Sequence, residues 1–248
     1  MKCFTTYNEL EKLCEAMVLD FLRQKRYQNV LCVDIEAFAS EYLGTPVVYE
    51  SFAEEDPGKI GFLSDGVRPL MVQRGNIKTE VVFPENTIVI DAYLLRTEES
   101  ARRRFTIAHE GAHHLLGRHV PVQSNPSAAF HSEYDSERSY SGNSLREMLS
   151  INESLANRGG ACFLMPQFLV QRVLERFNAS NPVIIYDSQV LAQSQKLLIQ
   201  RMADAMGVSY TAFFNRLREL QLFDRRPIEE YVHSELRYGG ATNATAST

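Results

Sequence analysis

Leu10, Leu13, Cys14, Met17, Val18, Phe21 and Leu22 recur at steps of three and four, with mostly polar residues between them. That period predicts an amphipathic helix with one buried stripe, opened by Thr6 and Glu9 in the T-x-x-E arrangement of a capping box. Asp34 suits the N-cap of a second helix, roughly 35–43, which stops at Gly44. From Pro46-Val47-Val48-Tyr49 to about residue 93 the pattern turns to strands. Lys59–Leu63 and Pro69–Gln73 flank Asp65-Gly66, while Glu80–Phe83 and Thr87–Ile90 flank Pro84-Glu85-Asn86, so one or two hairpins are predicted.

Thr97 can cap the next helix, whose first turn carries Glu98 and Glu99 and whose close is marked by Gly117 and Pro121. Residues 119–143 hold Ser, Asn, Pro and Tyr without a period, which predicts a long surface loop. Helical spacing resumes over 144–165, although Gly159 and Gly160 should each weaken it by about 1 kcal/mol relative to Ala. Pro166 suits the first residue of a further helix, to about Phe177. Residues 187–223 read as helix, Gly207-Val208-Ser209 turn, helix, and 238–248 as a disordered tail with nothing to bury. The expected fold class is α+β: a small, mainly antiparallel sheet with helices, divided into a unit over 1–180, a helical region over 181–237 and the tail over 238–248.

With 248 residues and 44% hydrophobic positions the chain can bury a sizeable core. Lys plus Arg is 26 against 31 Asp plus Glu, so a net charge of -5 provides no general field toward nucleic acid or an acidic membrane. No leader pattern and no apolar run of membrane-spanning length is visible, which predicts a cytoplasmic protein. The four cysteines, at 3, 14, 32 and 162, are too scattered for a disulfide framework and read as reduced, mostly core thiols.

The candidate chemistry lies in His109-Glu110-Gly111-Ala112-His113, an H-E-x-x-H. Residues four apart share one helix face about 6 Å from each other, so two imidazoles can aim at one ion about 2.0 to 2.1 Å from each. Glu110 falls beside that face, free to take a proton from water instead of ligating. Phe105, Ala108, Ala112 and Leu116 share the face of the histidines, which places the rings at the edge of a core. A catalytic zinc takes a third protein ligand and keeps one position open. Candidates are His114, His119, His131, Glu133, Asp135, Glu147 and Glu153. His114 points about 100° around the helix and is a poor choice, whereas Glu153 sits on a helix that can cross the first, with Asn157 one turn later as an amide to hold an imidazole.

Arg104-Phe105-Thr106-Ile107-Ala108-His109-Glu110, followed by Glu153-Ser154-Leu155-Ala156-Asn157 and Leu164-Met165-Pro166, resembles the ImmA/IrrE family of metallopeptidases over about Cys14 to Phe223. That resemblance implies a gluzincin-like zinc set of His109, His113 and Glu153, with Glu110 as the catalytic general base and 1–180 as the metallopeptidase domain. It implies Zn2+, with Mn2+ as a substitute, and as substrate a helix-turn-helix transcriptional repressor whose cleavage switches on mobile-element or stress genes. The chain looks like the phage and mobile-element type of member. Two departures stand out: Gly111-Ala112 where the family commonly reads H-E-L-G-H, and Gly159-Gly160 where an apolar run is common.

The 203–217 segment resembles a helix-turn-helix in spacing, with Arg216, Arg218, Arg225 and Arg226 close by. Phe213, Leu217 and Leu220 are spaced as core residues, which favours a helix pair packed on the peptidase body over direct DNA binding. The rival to an enzyme is a non-catalytic zinc-containing module that engages a repressor or DNA; a fourth protein ligand would mark it. For an oxyanion donor the sequence offers His131, Tyr134 and Tyr140.

Overall fold

A computed structural model describes residues 7–56, 58–119, 151–187 and 190–232. The Thr6 cap, the 119–143 loop beyond His119, the start of the 144–165 helix and the 238–248 tail lie outside these residues.

Helix α1 (Tyr7–Gln24) buries Leu10, Cys14, Val18, Phe21 and Leu22, the stripe read from the sequence, while Leu13 stays 40% exposed. Asp34 caps α2 (Ile35–Ala37), its side chain accepting from the Ala37 N–H. The predicted helix reaches Gly44, but its second half, Phe38–Leu43, is wound as a π-helix that Gly44 ends at φ 73°. The wider winding accompanies stacking of Phe38 on Tyr42, with ring centroids 5.3 Å apart, and both rings meet Phe21 edge-on.

The strands pair differently from the sequence expectation. Strand β1 (Val47–Glu50), β2 (Gly61–Leu63) and β5 (Ile88–Asp91) form one sheet in the order β1-β5-β2, with β1 parallel and β2 antiparallel to β5. The hairpin is instead β3 (Leu70–Arg74) with β4 (Ile77–Val81), closed by a two-residue turn whose Gly75 sits at φ 62°. Side chains alternate across β5: Ile88 and Ile90 enter the main core, and Val89 joins Phe62, Leu70, Val72 and Phe83 on the opposite face.

After 3-10 turns at Ala92–Leu95 and Thr97–Glu99 comes α3 (Ser100–His119). It begins two residues later than Thr97 capping predicts and runs past Gly117. It packs on β2 and β5 on one side and on α4 (Ile151–Leu164) on the other, and α4 also packs on α1. Pro166 is the N-cap of α5 (Gln167–Asn178). Helices α6 (Gln193–Met206) and α7 (Tyr210–Glu219) flank Gly207 at φ 65°, and the Ser209 hydroxyl caps α7 by accepting from the Ala212 N–H. Unforeseen in the sequence, β6 (Val183–Tyr186) and β7 (Phe223–Arg226) pair in parallel, before a short α8 (Ile228–Tyr231). The class is α+β.

The α6–α7 pair is sewn to the body. Phe213 and Leu217 are buried in the main core. Arg104 of α3 donates to the Gly207 carbonyl at 2.9 Å and to the Val33 carbonyl at 2.7 Å. The Arg216 side chain is wholly buried: its Nε donates to the Met165 carbonyl at 2.8 Å, and the guanidinium pairs with Glu11 of α1 and Glu219. Arg158 of α4 joins the same carboxylates at 3.0 Å each. Cys14 and Cys162 are buried and Cys32 half-buried, all three as free thiols. Among the described residues no helix is long and apolar enough to cross a membrane.

Candidate metal centre

Helix α3 carries His109, Glu110 and His113, and α4 carries Glu153 in its first turn, where a carboxylate suits the positive helix end. The rings of His109 and His113, one turn apart, lie with centroids 4.6 Å apart and their Nε2 atoms 3.0 Å from each other. The Glu153 oxygens lie 3.5 Å from His109 Nε2 and 3.4 Å from His113 Nε2. Ligands about 2.0 to 2.1 Å from a tetrahedral zinc stand about 3.3 Å from one another. The three side chains meet that spacing, so this donor set fits a divalent ion.

Electrostatics divides the two glutamates. Burial pushes the Glu153 carboxyl up, but hydrogen bonds and charge from His109 and His113 outweigh it and hold the pKa at about 2. Glu153 is therefore an ionised acceptor at neutral pH. For His113, burial acts to lower the pKa, while the Glu153 hydrogen bond and the charges of Glu110 and Glu153 raise it further than burial lowers it. Glu110 is 1% exposed, and its carboxyl is raised chiefly by burial and also by Glu153, against the two imidazoles and the Leu63 N–H. Neither oxygen has a well-formed hydrogen bond among the described residues. A buried carboxylate left in this state costs stability and marks a functional candidate.

The carboxylate has room because of Gly61. A Cβ built there would stand 2.8 Å from Glu110 Oε1 and 2.5 Å from Thr106 Cγ2. Strand β2 thus rides over α3 at the one position without a side chain. Sequence reading passed over Gly61, although glycine within the apolar run Ile60-Gly61-Phe62 is the ordinary mark of a close backbone approach.

The glycines of α4 work in the same way. A Cβ on Gly160 would lie 3.1 Å from His109 N and 3.2 Å from His109 Cα, and one on Gly159 would lie 2.9 Å from the Ala112 methyl. The two departures from the family pattern therefore meet: Ala112 projects a methyl where Gly159 leaves space. Helix crossing at this range brings Glu153 to the imidazoles. In a free helix Gly→Ala gains about 1 kcal/mol, whereas overpacking costs about 1–3 kcal/mol. Gly160→Ala, facing backbone, is expected to destabilise the fold and weaken zinc binding in an indicator competition. Gly159→Ala should do likewise, and Ala112→Gly in the same chain should restore zinc affinity. A stabilised Gly160→Ala protein with undiminished affinity would remove the packing argument.

Of the other candidates, His114 is buried and its Nδ1 lies 3.0 Å from Asn86 Oδ1, away from the cluster. Asn157 is half-buried and forms no hydrogen bond with either imidazole. His119 ends α3, and His131, Glu133, Tyr134, Asp135, Tyr140 and Glu147 fall outside the described residues. Among the described residues the three-ligand cluster is His109, His113 and Glu153.

A search of curated proteins finds no match to the chain. The model of the Peptidase_M78 family, described as the IrrE N-terminal-like domain, matches residues 40–218, a span that holds β2, α3 and α4.

Proposed function

Because this chain belongs to the Peptidase_M78 family of IrrE N-terminal-like domains, we propose that it is a zinc-dependent endopeptidase with Glu110 as its general base. His109, His113 and Glu153 would hold the ion, and a zinc there would supply Lewis-acid polarisation of the scissile carbonyl and acidify an attacking water. The observation that carries this reading is the pairing of a donor triangle of the right size with a buried, raised carboxyl next to it.

Glu110 takes the proton of the attacking water on its carboxylate and returns it to the leaving amine nitrogen. Burial raises the carboxyl above its ordinary value, which makes it a stronger base for the first transfer. Gly61 lets β2 lie close over α3 with no Cβ to strike the carboxylate, so Glu110 can occupy its place. The substrate in this reading is a helix-turn-helix repressor, as the ImmA/IrrE resemblance implies. Direct DNA binding by α7 has little support, since Arg216 and Phe213 face inward.

The test incubates the purified chain with repressors encoded beside its gene, with zinc or manganese present. Cleavage should stop on chelation and return with added zinc. Cleavage that continues in a chelated, metal-free sample would overturn the metallopeptidase reading.

A further inference from the structure

Three arginines gather at the far end of α1, about four to five helical turns from Tyr7, whose hydroxyl meets Ser154 near the metal centre. Arg23, Arg26 and Arg172 line a cavity of about 350 Å³ together with Leu22, Tyr27 and Phe168. None of the three guanidinium groups has a carboxylate within ion-pair distance among the described residues.

The neighbouring acids are spent elsewhere. Glu15 accepts from the Phe168 backbone N–H at 3.0 Å. Asp20 accepts from the Tyr42 hydroxyl and from Gln24, both at 2.9 Å. Glu41 pairs with Lys25. Three cations without counter-charge thus edge one apolar hollow on a chain whose net charge is -5.

The backbone adds an independent sign. Arg26 ends α1 at φ 54°, with its N–H bonded to the Arg23 carbonyl and the Tyr27 N–H to the Leu22 carbonyl. This is the left-handed helix end where glycine is the ordinary occupant. Asn29, three residues on, sits at φ 56°. Holding an arginine in that conformation aims a long cationic side chain at the cavity rim, and such strain concentrates at binding sites. Arg172 is half-buried and fixed by donating from Nη1 to the Val30 carbonyl at 3.0 Å. Its remaining donors are available for an anion.

We propose that this cavity binds a small phosphorylated molecule with a flat ring, of nucleoside monophosphate size. The guanidinium forks take the phosphate oxygens, and Tyr27 and Phe168 with Leu22 cover the ring. The volume lies at the lower end of the range for ligand pockets. The site is separate from the metal centre and does not depend on the peptidase reading.

The test is calorimetric titration of the full chain with adenosine monophosphate, phenyl phosphate, inorganic phosphate and adenosine. The two ring phosphates should bind at least tenfold tighter than either phosphate or adenosine alone. Arg23→Gln with Arg26→Gln, both at exposed positions, should weaken them at least tenfold while the circular dichroism spectrum stays unchanged. Arg172→Gln should do the same, and its folding is checked by thermal melting. Equal affinity for adenosine and its monophosphate, no binding by any probe at millimolar concentration, or unchanged affinity in the double variant would each overturn the assignment.

Discussion

Glu110→Gln is expected to lower the rate of peptide hydrolysis by about 10² to 10⁴, the range a positioned acid-base group contributes. In barrier terms this is about 3–5 kcal/mol. The amide keeps the shape of the carboxylate but cannot accept the water proton. Zinc content should stay at one ion per chain, because the donor triangle consists of His109, His113 and Glu153. Stability should hold or rise, because the native side chain is a buried carboxylate without a good hydrogen-bond partner, and a neutral amide carries a smaller desolvation cost. The measurements are turnover of a cleaved repressor, metal analysis and thermal unfolding on one preparation. A variant that turns over within a few-fold of the parent would end the general-base role.

The second large effect concerns the fold. Arg216→Ala is expected to destabilise the chain by about 3 kcal/mol, the lower end for breaking a buried ion pair, since Arg158 still faces Glu11. For a chain of this size that is a fall in Tm of about 6–12 °C. The penalty arises from leaving Glu11 buried beside one cation instead of two. Neutralising both partners, with Glu11→Gln and Arg216→Met, should recover much of the loss. The network also carries a pH dependence. Burial pushes the Glu11 carboxyl up, but the Arg216 hydrogen bond and charge, with Cys162 and Arg158, leave it below its ordinary value. Its contribution is therefore complete above the unfolded pKa of about 4.3 and is lost as pH falls through the lowered folded value. Urea midpoints should drop more steeply below pH 4.5 in the parent than in the double variant. Parallel curves would show that the pair contributes nothing measurable.

Features carried by residues close along the chain were legible from sequence. The stripe of α1, the Asp34 cap, the Gly44 and Gly207 helix ends and the i, i+4 histidines each depend on neighbours within one or two turns. Glu153 was reachable on the E-x-x-A-N resemblance, since 40 positions separate it from His113 and no local period links them. Strand pairing was misread for the same reason. Lys59–Leu63 and Pro69–Gln73 flank a plausible turn, yet β2 gains more by joining β5, where Phe62 and Val89 close the second core. Strands β6 and β7 are four residues each and are separated along the chain by α6 and α7, so no local turn signal marks their pairing.

By itself the sequence determined most of the helices, which faces they bury and that two imidazoles share one helix face, because those follow from backbone period and side-chain chemistry. Tertiary structure alone decided how near the helices come. Gly61, Gly159 and Gly160 read along the chain as weak points in strand and helix, and in space they are the places where β2 and α4 close on α3. It also decided the fate of Arg216, which in sequence is one cation of a basic stretch and in the fold is the buried tie between α1, α4 and α7. The physical reason is that packing distance and desolvation are properties of pairs of surfaces, and a single segment cannot specify the surface it will meet.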